Sequence, residues 1–228
     1  MTSAWLAQRG VSYELAAKYA KSGWLERLSH GVYARPGQPL LLDPSLQLLA
    51  GLQWPYHVGG KTALAWHGFL HNVSPNEEAV TLFIHAKTTN KVPQWFGQQF
   101  KNQVSSRLLF NEPDPDKPLL VTNNNNRHPG IRVSEPERAV LEMLSEVPRA
   151  QGLEGAEYLM EGMVSLRAEA MRTALKACAN VKTVRLFLHF AGKLDLPVQS
   201  AFTDEEFPTG SRSRYVLALP RGTLVLKP

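Results

Sequence analysis

The chain of 228 residues has little of several features that mark specialised classes of protein. Its single cysteine cannot form an internal disulfide, so nothing in the sequence indicates an oxidising compartment. No apolar run approaches the roughly 18 residues that a membrane-spanning helix needs. The N-terminus has neither the basic start nor the apolar run of a secretory signal peptide. We therefore expect a cytoplasmic protein with no membrane partner.

The composition is that of a folded protein, and its charged residues are unevenly distributed along the chain. The 43% of hydrophobic residues is ordinary for a globular chain, and the length fits one large or two modest domains. Residues 1–37 hold five Lys and Arg against two Glu, and residues 172–228 hold nine against four Asp and Glu. The net charge of +5 is therefore concentrated at the two ends of the chain.

The first 37 residues carry the pattern of a helix-turn-helix followed by a β-hairpin. A short helical segment stops before Gly10, Ser12 can cap a second helix, and Gly23 ends it. A four-residue break with a glycine between two short helices is the spacing of a helix-turn-helix. Residues 24–35 then alternate between apolar and polar side chains around a turn at Gly31, which predicts a hairpin in the position of a wing.

We therefore predict that residues 1–37 form a DNA-binding winged helix-turn-helix domain. Neutralisation of phosphate charge by Lys and Arg is the main sequence-independent source of DNA affinity. The candidate DNA-binding residues are Arg9, Ser12, Tyr13, Ala17, Lys18, Lys21, Arg27, His30 and Arg35. The alternative is a small helical hairpin with a solvated basic face that only packs on the rest of the chain.

This domain lacks the first helix on which a helix-turn-helix normally stands. That helix would lie before Met1, so we expect the native start to lie upstream and the domain to be truncated. Four apolar residues should then be partly uncovered, or covered by the C-terminal domain: Trp5, Leu6, Leu15 and Tyr19.

After a predicted linker at residues 38–44, residues 45–228 form the second predicted domain. β-like runs occur at residues 79–84, 107–110, 119–121, 131–133, 215–219 and 223–226. From Ser134, which has capping-box spacing to Glu137, four successive apolar stripes follow at helical spacing. We predict an α+β fold, in which a mixed α/β domain carries a helical layer packed on its sheet.

The C-terminal basic residues suggest a second charged surface. The members that we expect to be exposed are Lys176, Lys182, Arg185, Arg212 and Arg214. Such a surface could bind nucleic acid or an acidic partner. A solvated helix face with a basic tail is an equally supported interpretation.

Several apparent signals for catalysis fail on inspection. Residues 59–62, Gly-Gly-Lys-Thr, resemble the end of a phosphate-binding loop, but that pattern needs glycine where Pro55 stands, so a strand-to-helix turn explains them better. His67 and His71 have metal-compatible spacing without the Glu or Cys that would complete a zinc site. Cys178 fits a small buried core residue. We predict no catalytic residue, no metal and no cofactor.

A series of blocks along the chain carries a resemblance to a known family: WL at residues 5–6, Gly10, KY at 18–19, SGWL at 22–25, GVYAR at 31–35, VGGKTAL at 58–64, SEPERA at 134–139, LMEG at 159–162 and VKTVRLFL at 181–188. In this order the blocks resemble AbiEi-like antitoxins, the transcriptional regulators of type IV (abortive-infection) toxin–antitoxin pairs. The resemblance implies that residues 45–228 form an antitoxin-type domain. It further implies a repressor that binds inverted repeats in the double-stranded DNA of its own promoter, and that opposes a nucleotidyltransferase-like toxin in phage defence.

The alternative function is a nucleic-acid-processing enzyme with residues 1–37 as its DNA-targeting module. It would require carboxylates clustered around a metal. The acidic side chains between positions 135 and 169 instead alternate with the apolar stripes. This pattern predicts that they face solvent.

Overall fold

A computed structural model describes residues 1–69, 79–84, 91–106, 108–114, 117–123, 125–203, 206–211, 213–219 and 222–226. By its internal contacts the chain forms two compact units. Unit 1 comprises Met1–Trp54 and Lys91–Lys101, and unit 2 comprises Pro55–Asn90 and Asn102–Pro228. Helices and strands both occur, which confirms the predicted α+β class.

The helices and strands are numbered in chain order. They are α1 (Ser3–Ala7), α2 (Tyr13–Lys21), β1 (Glu26–Ser29), β2 (Val32–Ala34), α3 (Leu42–Gly51), β3 (Tyr56–Val58), α4 (Gly60–Trp66), β4 (Val80–Ile84), α5 (Gln94–Gln99), β5 (Asn102–Ser105), β6 (Val121–Thr122), β7 (Val133–Ser134), α6 (Pro136–Ser145), α7 (Leu153–Glu161), α8 (Ala168–Ala177), α9 (Val181–Lys193), β8 (Tyr215–Ala218) and β9 (Thr223–Leu226). Among the described residues, no helix has the length and apolar character needed to cross a membrane.

Unit 1 begins with two short helices whose ends are defined by local signals. Thr2 caps α1 by accepting a hydrogen bond from the Trp5 N–H at 3.1 Å, and Ser12 caps α2 by accepting one from the Leu15 N–H at 3.2 Å. Gly10 follows α1 with a φ of +83°. This left-handed conformation ends a helix at little cost when the residue has no Cβ. Both helices were predicted, with Gly10 after the first and Ser12 as the cap of the second; the cap of α1 by Thr2 was not predicted.

The predicted hairpin follows α2 and shares an apolar core with the two helices. Its antiparallel strands β1 and β2 place Arg27 opposite Tyr33, and Gly31 lies in the turn with a φ of +71°. Leu6 of α1, Ala16 of α2 and Tyr33 of β2 are buried together. This cluster holds the exposed sides of α2 and the hairpin in place.

The four apolar residues that we expected to be uncovered differ in their exposure. Trp5 and Tyr19 are 41% and 38% exposed, and Leu15 is half-buried, as expected. Leu6 is buried instead, because Tyr33 and Ala16 cover it within unit 1.

Helix α3 begins inside the segment that we predicted as a linker, residues 38–44. Leu41 is its N-cap, and Pro44 lies in its first turn. Proline is tolerated there because the first N–H groups of a helix have no acceptor within it. Residues 42–44 are therefore helical, in contrast to the prediction, and residues 45–54 lie in unit 1.

Unit 2 is built on a mixed five-stranded sheet with the strand order β5-β4-β3-β7-β6. Strand β3 pairs antiparallel with β4 and parallel with β7, while β5 is parallel to β4 and β6 is antiparallel to β7. Val58 of β3 lies opposite both Leu82 of β4 and Val133 of β7. Every residue of β3 and β4 is buried, so the middle of the sheet lies in the core of unit 2.

Most of the predicted β runs overlap a strand, namely β4, β6, β7 and the hairpin of β8 and β9. The overlap with β6 and with β7 is a single residue each, Val121 and Val133. The prediction for residues 107–110 is wrong over its described part, because Phe110 forms an isolated bridge with Cys178 and belongs to no strand. Residue 107 lies outside the described residues. Strand β5 was not predicted, because it lies at the sheet edge and carries the half-buried polar residues Asn102 and Gln103.

Four helices, α6 to α9, follow the sheet as the apolar spacing predicts. Helix α6 packs against α4, α7, α8 and α9, and every residue from Glu137 to Ser145 is buried. It is therefore the central helix of unit 2. The prediction that acidic residues on these helices face solvent is wrong for Glu137 and Glu142, which are both buried.

The predicted capping box at the start of α6 is also absent. Ser134 still belongs to β7, opposite Val121, and the N-cap of α6 is Glu135, with no side-chain capping bond. The Ser134 hydroxyl instead donates to Glu142 at 2.8 Å, and Glu137 accepts from the backbone N–H of Arg167 at 2.8 Å. The two residues have the spacing of a capping box, but tertiary partners take up both side chains.

Candidate nucleic-acid interface

Helix α2 has one side in the core of unit 1 and one side in solvent. Ala16 is buried and Ala20 is half-buried against the cluster around Leu6. The residues on the opposite side of α2 are exposed: Tyr13, Glu14, Ala17, Lys18 and Lys21. A short helix with this arrangement can present its outer side to another molecule without disturbing its packing.

All nine of the predicted DNA-binding residues are exposed in the structure: Arg9, Ser12, Tyr13, Ala17, Lys18, Lys21, Arg27, His30 and Arg35. Within the described part of the chain, Lys18, Lys21 and Arg35 form no ion pair. Their positive charges are therefore not neutralised by neighbouring carboxylates and remain available for a polyanion.

Ser12 and Tyr13 stand at the N-terminal end of α2. The Ser12 hydroxyl oxygen already accepts the hydrogen bond that caps the helix, so this side chain has a structural role as well. Tyr13 is 65% exposed and has no such role. The N-terminal side chains of a recognition helix are the ones that contact base edges. Tyr13 is accordingly the better candidate of the two for reading sequence.

The turn of the hairpin brings two further predicted residues together. A guanidinium nitrogen of Arg27 lies 3.3 Å from Nδ1 of His30, and the register of the hairpin shifts between Arg27 and Ser29. This places one strand residue and one turn residue side by side at the tip of the hairpin. The tip can therefore present a joint donor surface to a nucleic-acid backbone.

The structure corrects the predicted second basic surface at two of its five members, Arg185 and Lys182. Arg185 is only 3% exposed, and its guanidinium donates to the carbonyl oxygens of Thr209 at 2.6 Å and Ser213 at 2.8 Å, as well as to that of Ser211. Lys182 is half-buried and donates to the carbonyl oxygen of Ser145 at 2.9 Å.

The side chains of Arg185 and Lys182 therefore stabilise the fold of unit 2. The remaining predicted members are Lys176 and Arg214, which are exposed, and Arg212, which lies outside the described residues. Sequence could not have separated the two groups, because the acceptors of Arg185 and Lys182 are backbone carbonyls, which carry no sequence signal.

A buried polar cluster, which sequence reasoning missed, lies in unit 2 around Glu142. Oε1 of Glu142 accepts from Nε2 of His57 at 2.6 Å and from Nε of Arg138 at 2.7 Å. Oε2 accepts from the Ser134 hydroxyl at 2.8 Å and from the Gly60 backbone N–H at 3.0 Å. Four donors around one carboxylate satisfy it fully in a site without water contact.

The charges in this cluster are set by burial and by the neighbouring donors. Burial alone would raise the pKa of Glu142, but the charges and hydrogen bonds of His57 and Arg138 outweigh it and lower that pKa to about 2. Burial lowers the pKa of His57 below its ordinary value, against the opposing effect of Glu142. Glu142 is thus ionised at neutral pH, while His57 is neutral and donates through Nε2.

The cluster extends through Arg138, which also binds the Glu112 carboxylate and donates to the Leu119 carbonyl oxygen at 2.7 Å. Its guanidinium carbon lies 4.3 Å from the ring centroid of Phe110. A spacing of four residues between Arg138 and Glu142 on an apolar helix was the signal that could have revealed this pair.

The Gly-Gly-Lys-Thr turn at residues 59–62 is explained by the same cluster. A Cβ on Gly59 would lie 2.2 Å from Oε2 of Glu142, and Gly60 has a φ of +52°. The strand-to-helix turn predicted there is confirmed by β3 and α4.

His67 and Cys178, which were also considered for chemistry, have structural partners. Nε2 of His67 donates to the Ser134 carbonyl oxygen at 2.9 Å, and His71 lies outside the described residues. Cys178 is buried, as predicted, and burial raises the pKa of its thiol to about 11. Within the described segments, no group of three or more His, Cys, Asp or Glu side chains could hold a metal ion.

Comparison with known structures supports the fold. The crystal structure of the RV2827C protein from Mycobacterium tuberculosis matches with a TM-score of 0.55 and 15% sequence identity, over 94% of this chain and 82% of that one. At this identity the similarity shows the fold alone. No curated protein matches the chain.

Two family models match the sequence itself. The AbiEi antitoxin N-terminal domain of transcriptional regulators matches residues 1–75. The transcriptional regulator described as AbiEi antitoxin of a type IV TA system matches residues 77–226. These matches confirm the resemblance that the sequence blocks indicated. The chain therefore belongs to the AbiEi antitoxin family of transcriptional regulators of type IV toxin–antitoxin systems.

Proposed function

We propose that this chain represses its own operon by binding inverted repeats in double-stranded DNA through a winged helix-turn-helix in residues 1–37. Family membership supports the regulatory role. The observation that carries the proposal is the exposed side of α2, where Lys18 and Lys21 lie without carboxylate partners among the described residues and Tyr13 projects at the N-terminal end.

The residue types on this surface indicate which side chains supply DNA affinity and which supply sequence preference. Lys18, Lys21 and Arg35 supply charge that is attracted to any phosphate backbone, and thus affinity without sequence preference. Tyr13, at the start of α2, combines a ring with a hydroxyl that can donate to or accept from a base edge. We assign affinity to the basic residues and sequence preference to Tyr13.

The proposal is tested by gel shifts of DNA from directly upstream of the gene, across a series of salt concentrations. Replacement of Lys18 and Lys21 by Ala should weaken binding to every DNA sequence. It should also reduce the salt slope, which is the steepness with which the logarithm of the binding constant falls with the logarithm of the salt concentration, by about two units, roughly one for each phosphate contact. The matched control is Lys101→Ala with Lys117→Ala, which removes the same charge from exposed positions elsewhere.

An unchanged salt slope in the α2 variant, or an equal change in the control, would exclude α2 as the DNA-binding surface. Tyr13→Ala should behave differently from both: it should change the ratio of affinities for operator and unrelated DNA while the salt slope stays close to that of the native chain.

We further propose that the chain counteracts a nucleotidyltransferase-like toxin, supported by the type IV antitoxin family to which it belongs. The expected gene arrangement is a nucleotidyltransferase-like reading frame directly downstream. Expression of that reading frame alone should arrest growth, and co-expression of this chain should relieve the arrest. Growth arrest that co-expression does not relieve would contradict the antitoxin proposal and leave the DNA-binding proposal standing.

A further inference from the structure

Arg9 lies over the indole ring of Trp5 on the surface of unit 1. The guanidinium carbon of Arg9 is 3.7 Å from the centroid of the Trp5 ring, and its Nη1 donates to the Trp5 carbonyl oxygen at 3.3 Å. The backbone N–H of Arg9 donates to the Leu6 carbonyl oxygen at 2.9 Å. Both ends of the Arg9 residue are therefore held by α1.

The arrangement follows from the end of a short helix. Helix α1 ends at Ala7, and Arg9 stands in the turn before Gly10, four residues after Trp5. Residues four apart lie on the same side of a helical turn, so the guanidinium reaches back over the ring. A cation is attracted to the face of an indole ring more strongly than to other aromatic rings.

Stacking of this kind uses the flat face of the guanidinium and leaves most of its donors free. Arginine has five N–H donors in a planar fork, of which one is taken here by the Trp5 carbonyl oxygen. Within the described residues Arg9 forms no ion pair, and its side chain is exposed. The fork is therefore fixed in orientation and directed at solvent, which lowers the entropy that it would lose on binding an anion.

We infer that Arg9 contacts a backbone phosphate of the bound DNA and that Trp5 is the positioning residue that holds Arg9 in the binding orientation. This inference rests on the proposed function of residues 1–37. It assigns a DNA-binding role to Trp5, which is 41% exposed.

The test is a double-mutant cycle of DNA affinity with Arg9→Ala and Trp5→Leu, measured across a salt series. Arg9→Ala should reduce the salt slope by about one unit and the affinity at moderate salt by about five- to eightfold, as expected for one phosphate contact. Trp5→Leu should weaken binding by about two- to fivefold when Arg9 is present. In the Arg9→Ala chain, Trp5→Leu should have no further effect.

Trp5→Phe keeps an aromatic face and should lie between the native chain and Trp5→Leu. Circular dichroism and thermal unfolding of each variant establish that the domain is folded. If Trp5 only supports the fold, Trp5→Leu will weaken binding equally with and without Arg9, and the inference is overturned. A salt slope that Arg9→Ala leaves unchanged would overturn it as well.

Failure of the inference is distinguishable from failure of the proposed function. If the Lys18 and Lys21 replacements reduce the salt slope while Arg9→Ala does not, the DNA surface stands and only the role of the Trp5–Arg9 pair is wrong. If neither replacement changes the slope, the assignment of the DNA surface to α2 and to the turn that follows α1 is wrong.

Discussion

Oε2 of Glu142 lies 3.0 Å from the backbone nitrogen of Gly60, the first residue of α4. The two residues are 82 positions apart in the sequence. This contact joins the central helix α6 to the turn between β3 and α4, and it gives the free N–H at the start of α4 an acceptor. The turn can approach the carboxylate this closely because Gly59 has no side chain.

Replacement of Gly59 by Ala should therefore destabilise unit 2. The new Cβ would lie 2.2 Å from Oε2 of Glu142 and 2.7 Å from Cδ2 of Phe83, so the cluster or the sheet has to move. Overpacking of a core usually costs about 1–3 kcal/mol, and disturbance of a buried ion pair adds to it, so we expect about 3 kcal/mol. The free energy of unfolding is measured by urea titration.

Gly51→Ala is the control for this variant. Gly51 is exposed at the end of α3, and an added Cβ there would meet nothing within 4 Å. It should change the stability by less than about 0.5 kcal/mol. Equal effects of the two substitutions would show that the close approach of Gly59 to Glu142 is not what requires a glycine.

Acidification should destabilise unit 2 in two stages. Because burial lowers the pKa of His57 from 6.5, only the unfolded imidazole takes up a proton just below that pH, and stability begins to fall there. The pKa of Glu142 is lowered from 4.5 to about 2, so a second loss begins near pH 4.5 and continues toward pH 2. Each group contributes a slope of at most about 1.4 kcal/mol per pH unit. Urea titrations at a series of pH values measure both stages.

Glu142→Gln separates the second stage from general acid denaturation. This variant should be about 3–5 kcal/mol less stable at neutral pH, because it leaves Arg138 buried without its charge partner. Its deficit relative to the native chain should shrink below pH 4.5, where the native chain loses the contribution of the ionised carboxylate. Glu154→Gln, at an exposed position of α7, is the control and should show both stages. If the stability deficit of Glu142→Gln were the same at every pH, the second stage would not be due to protonation of Glu142.

Arg185→Lys should loosen the segment from Thr209 to the β8–β9 hairpin. The guanidinium fork donates to three carbonyl oxygens of this segment, and a single ammonium group cannot reproduce that geometry. We expect a loss of about 2 kcal/mol and faster amide hydrogen exchange at residues 213–219.

The control is Arg149→Lys, because Arg149 is exposed and the substitution keeps the same charge. It should leave hydrogen exchange at residues 213–219 unchanged. If Arg185→Lys also leaves this exchange at the native level, the segment is held by other contacts and Arg185 is not its anchor.

The parts of the structure that sequence predicted well are those formed by neighbours along the chain. The Ser12 cap of α2, the glycines after α1 and α2, the hairpin and the four helices after Ser134 all depend on interactions within a few residues. The exposure of Lys18, Lys21 and Tyr13 followed in the same way, since the apolar residues of α2 define its inner side.

The parts that sequence missed depend on distant partners. Ser134 and Glu137 have capping-box spacing, but the Ser134 hydroxyl donates to Glu142 and the Glu137 carboxylate accepts from Arg167 instead. Arg185 has the spacing of a surface residue and is buried against backbone carbonyls. Strand β5 owes its existence to pairing with β4 and shows little pattern of its own.

By itself, the sequence determined the α+β class, the local elements of residues 1–37 and the family, because capping, periodicity and ordered motifs are properties of neighbouring residues. Only the tertiary structure decided which charges are buried. A carboxylate such as Glu142 is stable in the core only when His57, Arg138, Ser134 and Gly60 converge on it, and that convergence joins segments that lie far apart in the chain.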